Sequence, residues 1–329
     1  MSILIISEPT DSHAQAIVNA LTKHRVNDIH SIDFSNFSAL MGINLALSAR
    51  DSGKFWLQIG QNKLIDSSEI SAVWWRRPQN YRQHLQSIEP LSRHFAMTDS
   101  ASSFDSMWQA NDCLWVNNIT RDAAAAHRPW QLELAKQCGL RIPDTLWTPT
   151  VDRLKQFWLR YHGEIVYKPL LQNFHSENEA RRIKPEEFAT IDKVQLAPML
   201  FQQWIPSIAD IRVTIVGEEV FTAAVNLNKN VPFNAATQAT TPYYQRHTLP
   251  AQTQEKLLLL MKQMYLEYGV IDLRLRPDGE YVFLELHTTG EFLTVERTCQ
   301  LPISDSLALH LARSNAKKVP PVPIHKKAA

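Results

Sequence analysis

The sequence predicts a mixed fold of the α/β and α+β classes, divided into two or three subdomains. The chain has 329 residues, which exceeds the roughly 250 residues that one hydrophobic core usually serves. An apolar run at residues 3–6 leads into an amphipathic helical stripe, as a buried strand followed by a helix would. In the last third, apolar and polar residues alternate, which is typical of strands with one buried face.

The composition excludes several classes of function. Lys and Arg number 34 against 33 Asp and Glu, a net charge of +1, so we expect no nucleic-acid partner, because phosphate binding needs a basic surplus. The N-terminal apolar run is too short for a signal peptide and no 18-residue apolar stretch occurs, which predicts a cytoplasmic protein without a membrane partner. The 3 cysteines are scattered, and the 9 glycines form no Rossmann or Walker A loop.

The first third predicts an α/β domain. After the strand at residues 3–6, Ser12 and Gln15 can form a capping box at the start of a helix. A later strand ends in Trp74-Trp75-Arg76-Arg77-Pro78. Core indoles beside solvated arginines would explain this segment, and arginines stacked on tryptophan at the surface would explain it as well.

The middle of the chain predicts a helix and then a strand that ends in a lysine. Residues 122–138 begin at an Asp, contain an alanine run and stop before Gly139, as a single helix would. Residues 164–168 are an apolar strand closed by Pro169. Lys168 at its end is placed to contact a phosphate, although a strand-end lysine often has no such role.

The last third predicts paired strands that carry charged side chains on one face. Alternate residues from Ile211 to Ile215 are apolar, so Arg212 and Thr214 lie on the opposite face. Arg212 therefore projects from a rigid strand, which is a suitable position for a charge clamp.

A hairpin near the C-terminus is the strongest chemical signal. Its strands flank a Pro-Asp-Gly turn. If residues 277–280 form the loop, Arg276 faces Tyr281 and Asp272 falls opposite Glu285. Carboxylates directly opposite each other lie about 5 Å apart and repel, so a cation between them would explain the pair.

Two alternatives exist for this carboxylate pair. Carboxylate oxygens suit Mg²⁺, and His287, on the same side as Glu285, could be a third ligand. Alternatively, Arg274 neutralises the pair in a solvated cluster without a metal. The alternation expected of the second strand puts four side chains on one face: Tyr281, Phe283, Glu285 and His287.

The segments described so far, together with a few others, occur in a characteristic order between residue 1 and about residue 312. The segments are Trp74-Trp75-Arg76-Arg77-Pro78, Gln131-Leu132, Gly139-Leu140, Ile142-Pro143-Asp144-Thr145, Val166-Tyr167-Lys168-Pro169, Asp210-Ile211-Arg212-Val213, Ile271-Asp272-Leu273-Arg274, Phe283-Leu284-Glu285 and Gly290-Glu291-Phe292. Together they resemble the ATP-grasp ligases, and most closely the microviridin-type (graspetide, MvdC/MvdD-like) peptide-modifying branch.

The resemblance implies an ATP-grasp fold with an N-terminal pre-ATP-grasp α/β domain. The implied boundaries are 1–115 for that domain, 116–200 for an ATP-grasp N-terminal subdomain with a small lobe, and 201–315 for a C-terminal subdomain. Residues 316–329, which are rich in Lys and Pro, are expected to form a disordered tail.

The resemblance also implies an activity. Such ligases use ATP and Mg²⁺ to activate a carboxylate as an acyl phosphate, which an amine or hydroxyl attacks to give an amide or ester, ADP and phosphate. In the peptide branch both groups are side chains of a precursor peptide made by the ribosome. Mn²⁺ is a second candidate metal, and a homodimer is plausible by resemblance. Two alternatives remain: an altered or inactive module that binds a nucleotide or peptide, and a small-molecule amino-acid ligase.

Ten residues receive roles by their match to the family's motifs. Arg212 and Arg274 would be catalytic beside the transferring phosphoryl group; Lys168 and Arg128 would bind phosphates; Gln203, Trp204 and Ile205 would hold adenine through backbone groups; and Asp272, Glu285 and His287 would bind metal.

Five features depart from the family pattern, two of which are Arg128 in place of a lysine and Ala236 to Thr241 in place of an Asp-Trp-Arg segment. His287 stands where Asn is usual, Glu291 stands where Gln is usual, and the segment after Lys168 lacks glycine. Imidazole is a softer ligand than an amide oxygen, so His287 is expected to change the affinity for Mg²⁺ or the preferred metal.

Overall fold

The computed structural model divides the chain into two compact units. One comprises Met1–Ile119 with Ser304–Ala329, and the other Thr120–Ile303. The finer predicted boundaries at residues 115, 200 and 315 stay predictions, and the predicted tail at 316–329 lies outside the described residues. The structure describes residues 2–33, 41–46, 54–59, 63–77, 89, 92–95, 99, 113–168, 181–184, 188, 198–226 and 243–313.

A four-stranded parallel sheet organises the first unit, with strand order β2-β1-β6-β7. The helix after β1 begins with a cap from Asp11, whose carboxylate accepts a hydrogen bond from the His13 N–H at 2.8 Å. The predicted capping box at Ser12 is therefore wrong by one residue. The elements are β1 (Ser2–Ile6), α1 (Ser12–Lys23), β2 (Ile29–Ile32), β6 (Ile70–Trp75) and β7 (Leu114–Val116).

A three-stranded antiparallel sheet lies between β2 and β6 in the chain. Phe55, Leu57 and Ile65 from its strands pack into the same apolar cluster as Leu4 and Ile6 of the parallel sheet. The elements are β3 (Met41–Ala46), β4 (Lys54–Ile59) and β5 (Lys63–Asp66), followed by a 3-10 turn at Ser67–Glu69.

The arginines at the end of β6 are not both solvated. Trp74 is buried, as the core-indole interpretation expects, but Arg76 is fully buried as well. Its Nε lies 3.0 Å from Oδ2 of Asp11, the cap of α1. The interpretation of Arg76 as a solvated side chain is wrong, because this buried ion pair ties the end of β6 to the start of α1.

The second unit begins with two short helices and a four-stranded antiparallel sheet, with strand order β10-β9-β11-β8. The single helix predicted over 122–138 is interrupted at His127, because Pro129 favours the first turn of a new helix. The elements are α2 (Ile119–Ala125), α3 (Arg128–Gln137), β8 (Thr145–Thr148), α4 (Val151–Arg160), β9 (Ile165–Lys168), β10 (Arg181–Arg182) and β11 (Met199–Gln203).

A five-stranded antiparallel sheet completes the second unit, with strand order β14-β13-β12-β15-β16. Ile211, Val213 and Ile215 lie in the apolar core with residues of α3 and α5, so the predicted alternation in this strand is confirmed. The elements are β12 (Ala209–Val216), β13 (Glu219–Asn226), β14 (Tyr243–Arg246), α5 (Ala251–Met264), β15 (Tyr268–Leu275), β16 (Tyr281–His287) and α6 (Leu293–Cys299). The last helix, α7 (Ile303–Ala312), belongs to the first unit from Ser304 on.

The β15–β16 hairpin contains a register shift that the sequence analysis missed. Tyr281 pairs with Leu275, so the predicted pairing with Arg276 is wrong. The shift next to Asp272 leaves Leu284 as an extra residue in β16, and beyond it Asp272 pairs with Glu285 as predicted. Without this bulge, the register of the turn would put Leu284 opposite Asp272.

The bulge also changes which side chains share a face. Phe283 and Leu286 belong to the buried apolar core, and Tyr281 packs against it. Glu285 and His287 lie instead on the face of Asp272, within reach of its carboxylate. The expectation that Tyr281, Phe283, Glu285 and His287 share one face is therefore wrong.

Candidate functional site

Three charged side chains form a row across the middle of the five-stranded sheet. Arg212 on β12 pairs with Asp272 on β15, and Asp272 pairs with Glu285 on β16. Opposed residues on neighbouring strands point to the same face, with their side chains about 5 Å apart. The sheet thus holds one cation and two anions in fixed order on a rigid surface.

His287 extends this row into a cluster of possible metal ligands. Its Nε2 lies 3.4 Å from Oδ2 of Asp272 and 3.8 Å from Oε1 of Glu285. One donor atom from each of the three residues lies within 4.8 Å of the others. Donors around a divalent ion at about 2.1 Å are separated by about 3.0 Å in adjacent octahedral positions and about 3.4 Å in a tetrahedron. The three residues therefore fit one such ion after a small contraction.

Two further cations lie on the other side of Glu285. Arg128, the first residue of α3, places Nε and Nη2 each 2.9 Å from Oε2 of Glu285. Lys168, at the end of β9, places Nζ 3.7 Å from Oε1. With Arg212, three cationic groups surround two carboxylates, so the cluster has a positive surplus that suits a polyanionic ligand.

The electrostatic environment keeps both carboxylates ionised. Burial raises the pKa of Glu285, but Lys168, His287 and Arg128 outweigh it and hold that pKa far below its usual range. Burial likewise opposes ionisation of Asp272, and Arg212 and His287 lower the pKa below its ordinary value. Burial lowers the pKa of Lys168, against the opposing effect of Glu285. At neutral pH both acids are therefore available as anionic ligands.

Gln131 fixes the strand that carries two of these ligands. From α3, its Nε2 donates to the Leu286 carbonyl at 2.8 Å, and its Oε1 accepts from the Leu286 N–H at 3.0 Å. Leu286 lies between Glu285 and His287, so this pair of hydrogen bonds sets the position of both. The sequence analysis included Gln131 only in a motif, because a contact across 155 positions leaves no local signal.

The predicted adenine segment lies at the end of β11, and most of its backbone is already engaged. The N–H of Gln203 donates to the Asp144 carbonyl and that of Trp204 to the Glu164 carbonyl, each at 2.9 Å. The Ile205 carbonyl accepts from Nη1 of Arg274 at 3.1 Å. Within the described residues, the N–H of Ile205 has no partner.

Arg274 contacts this segment rather than the carboxylate pair. Its guanidinium binds Asp210 through Nε at 2.8 Å and Nη2 at 3.3 Å. It also lies over the Trp204 ring, 4.5 Å from the centroid, and Arg182 lies 4.9 Å from the same ring. The alternative in which Arg274 neutralises Asp272 and Glu285 is thus wrong, since its ion pair is with Asp210. Its catalytic role stays a prediction, and these contacts favour positioning of the adenine segment.

Arg212 has a second set of neighbours that the sequence analysis did not assign. Its guanidinium hydrogen-bonds the Tyr244 hydroxyl, while Asp272 and Glu291 lie close enough to raise its pKa against the effect of burial. Its Nε is buried and has no hydrogen-bond partner in the described part of the chain. A buried donor without a partner is costly, so this atom is suited to receive an anionic group of a ligand.

Comparisons with known proteins identify the fold that carries these residues. Residues 2–123 match the model of the MvdD pre-ATP grasp domain. The macrocyclase MdnC from Microcystis aeruginosa MRC, bound with precursor peptide MdnA, superposes with a TM-score of 0.82 at 27% identity, over 94% of this chain and 99% of that one. The chain has the ATP-grasp fold. The predicted pre-ATP-grasp domain and the resemblance to microviridin-type ligases are confirmed.

Two other solved structures support the same fold. The macrocyclase MdnB from Microcystis aeruginosa MRC has a TM-score of 0.77 at 25% identity, over 95% of this ATP-grasp chain and 99% of its own. The ATP-grasp ligase PsnB, complexed with a phosphomimetic variant of its minimal precursor, Mg and ADP, has a TM-score of 0.75 at 19% identity, over 95% and 98%. A search of curated proteins found no match. Among the described residues, no helix is both long enough and apolar enough to cross a bilayer.

Proposed function

We propose that this ATP-grasp protein is an ATP-dependent ligase that activates a side-chain carboxylate of a ribosomal peptide or protein and joins it to an amine or hydroxyl. The observation that carries this proposal is the row of Arg212, Asp272 and Glu285, flanked by Arg128 and Lys168. Phosphoryl transfer needs fixed positive charge around the phosphates and little covalent chemistry from the protein. Arg212 on β12, Lys168 at the end of β9 and Arg128 at the start of α3 provide that charge from rigid elements.

The nucleotide would lie between the end of β11 and this row. The Ile205 N–H is the backbone donor that adenine would meet, and Arg274 would hold the segment in place through Asp210 and the Ile205 carbonyl. Lys168 and Arg128 would contact the phosphates, with Arg128 keeping the two contacts that it makes with Oε2 of Glu285. Lys168 and Arg128 would thus orient the phosphates, while Arg274 would orient the segment that holds the adenine.

Asp272, Glu285 and His287 would hold the divalent ion that accompanies the nucleotide, and that ion would supply further charge neutralisation. Arg212 would donate its unpaired Nε to the oxygens of the transferring phosphoryl group. The acceptor amine or hydroxyl would then attack the acyl carbon, forming a C–N or C–O bond while phosphate leaves with the electron pair of the broken C–O bond. No protein nucleophile is needed for either step.

The relatives support the substrate class. MdnC was crystallised with a precursor peptide, and the PsnB complex contains a phosphomimetic variant of a minimal precursor with Mg and ADP. We therefore infer ATP and Mg²⁺ as cosubstrate and metal, with Mn²⁺ as the second candidate, and a precursor peptide as partner. A role in peptide natural-product biosynthesis, a cytoplasmic location and a homodimer stay predictions.

The decisive experiment is a ligation assay with the purified full chain. We expect ADP release with ATP and Mg²⁺ to depend on a peptide rich in Thr, Asp, Glu and Lys, encoded by a short neighbouring gene. We also expect the peptide to lose one water in mass for each bond formed. Asp272→Asn is the matched control, since it removes one ligand charge with little change in size. Nucleotide binding without turnover on any such peptide would favour the inactive binding module instead.

A further inference from the structure

The donor set of the cluster is unusual for a magnesium site, because one of its three donors is an imidazole nitrogen. His287 directs Nε2 toward both carboxylates, at 3.4 Å from Asp272 and 3.8 Å from Glu285. Mg²⁺ prefers oxygen ligands, whereas imidazole favours first-row transition ions and strengthens binding along the series from Mn²⁺ to Co²⁺. The nature of the donors therefore distinguishes ions of equal charge.

Glu285 adds to this effect because only one of its oxygens is available. Oε2 accepts from two nitrogens of Arg128 at 2.9 Å, so Oε1 is the oxygen that faces His287. The protein thus offers one oxygen from each carboxylate and one nitrogen, and other positions are left for a ligand. Because the protein supplies only two oxygen donors, the imidazole contributes a large share of the protein's affinity for the metal ion.

We propose that the site prefers a transition-metal dication such as Mn²⁺ or Co²⁺ over Mg²⁺ when it binds nucleotide, and that His287 determines this preference. The inference rests on the proposed nucleotide-binding function and adds the chemical class of the metal. Surrounding charge does not explain such a preference, because Arg128, Lys168 and Arg212 act equally on all three dications.

Calorimetric titration of the full chain with ADP tests this proposal, in separate series with Mg²⁺, Mn²⁺ and Co²⁺. We expect the ratio of ADP affinities with Co²⁺ and with Mg²⁺ to be about tenfold higher in the wild type than in His287→Asn. Co²⁺ gives a second readout, since its visible absorption changes when a nitrogen ligand binds. That change is expected in the wild type and is expected to be lost in His287→Asn.

His162→Asn is the matched control, because His162 is exposed and its φ of 51° suits asparagine. It should keep both the affinity ratio and the cobalt spectrum. Equal ratios in the wild type and His287→Asn, or a uniform gain for all ions in His287→Asn, would overturn the proposal. The uniform gain would mean that a protonated His287 competes with the ion. If ratios are equal while peptide ligation proceeds, only this inference falls, whereas absence of ADP binding with every metal would overturn the proposed function as well.

Discussion

The two units of the chain each pair an arginine with a carboxylate, fully buried in the first unit and partly buried in the second, and the surroundings of the two pairs differ. In the N-terminal unit, Nε of Arg76 lies 3.0 Å from Asp11, whose carboxylate also accepts from the Ser7 hydroxyl at 3.0 Å and the His13 N–H at 2.8 Å. In the ATP-grasp unit, Arg128 binds Glu285 at a similar distance of 2.9 Å. The first carboxylate is thus held by Arg76, by two neutral donors and by the His13 imidazole, whose Nδ1 lies 3.3 Å from Oδ1.

The second carboxylate is surrounded by more charge than it can neutralise. Lys168 and His287 approach Oε1 of Glu285, and Asp272 follows on the next strand with Arg212 beyond it. Removal of one partner from a buried ion pair destabilises the fold, because the other charge stays buried and is no longer compensated. A closed pair therefore serves the fold, whereas a crowded cluster with surplus positive charge indicates a ligand that completes it.

The largest effect is expected for Glu285→Gln, at the centre of the crowded cluster. The substitution removes a ligand charge and leaves Arg128 and Lys168 without their anionic partner. We expect peptide-dependent ADP formation to fall by about 10²–10³-fold, measured as kcat with saturating ATP and metal. Unfolding curves that show a folded variant serve as the control, and a kcat within a few-fold of the wild type would remove Glu285 from the site.

Loss of the Arg76–Asp11 pair should have the opposite effect: it should lower the stability of the fold and leave nucleotide binding unchanged. Asp11→Asn removes the anion that lies beside the buried Arg76, so we expect the free energy of unfolding at pH 7 to fall by about 3–5 kcal/mol. Urea unfolding measures this loss, and calorimetry with ADP should give the wild-type affinity. A large change in ADP affinity would show that the pair is not purely structural.

The same pair predicts a dependence of stability on pH. Burial opposes ionisation of Asp11, but its hydrogen bonds and Arg76 hold the pKa well below its usual range in the folded state. The stabilisation is therefore complete above the unfolded pKa of about 4 and is lost as pH falls toward the folded value. Urea unfolding at pH 3 should bring the wild type and Asp11→Asn closer together, whereas a constant difference would contradict this sign.

A smaller effect is expected where Gln131 links α3 to the ligand strand. Gln131→Ala removes two hydrogen bonds to Leu286 and leaves buried backbone groups unpaired, so the free energy of unfolding should fall by about 1–3 kcal/mol. Because Glu285 and His287 flank Leu286, kcat/KM should fall too. Gln137→Ala is the control on the same helix and should change neither quantity, because Gln137 is exposed and its side chain donates to that of Glu133. Equal effects from both variants would contradict the positioning role.

The smallest effect is expected at Asp122, on the helix that precedes α3. Burial raises its pKa to about 6, against a hydrogen bond to Thr288. The folded state therefore binds a proton more tightly than the unfolded state, and stability falls as pH rises from about 4 to 6. Asp122→Asn lacks this penalty, so it should be more stable than the wild type by up to about 2 kcal/mol at pH 7.5 and similar at pH 4. Lower stability of the variant at pH 7.5 would contradict this account.

The comparison of the two pairs also shows what the sequence could predict. Periodicity predicted the strands, and hairpin pairing predicted Asp272 opposite Glu285, because both depend on neighbours along the chain. The prediction of that pair was correct despite an error, since the register at Tyr281 was off by one and the bulge at Leu284 compensated for it. A bulge depends on tertiary packing and has no clear local signature.

The partners of buried charges were beyond the reach of sequence periodicity. Arg76 finds Asp11 across 65 positions, and Arg274 finds Asp210 across 64. From the sequence, Arg76 was expected to be solvated, and Arg274 was one candidate for neutralising Asp272 and Glu285. In the structure each arginine pairs with a distant aspartate instead. Such contacts are set by which strands are neighbours in the sheets, which the order of residues alone does not reveal.

The central claim is that Asp272, Glu285 and His287 hold the metal that accompanies the nucleotide. Calorimetric titration of a non-hydrolysable ATP analogue, with Mg²⁺ and with a chelator, tests it most directly in the wild type and Asp272→Asn. The account predicts that Mg²⁺ strengthens binding to the wild type, and that this gain disappears in Asp272→Asn while binding in chelator persists. An equal gain from Mg²⁺ in both proteins would contradict it.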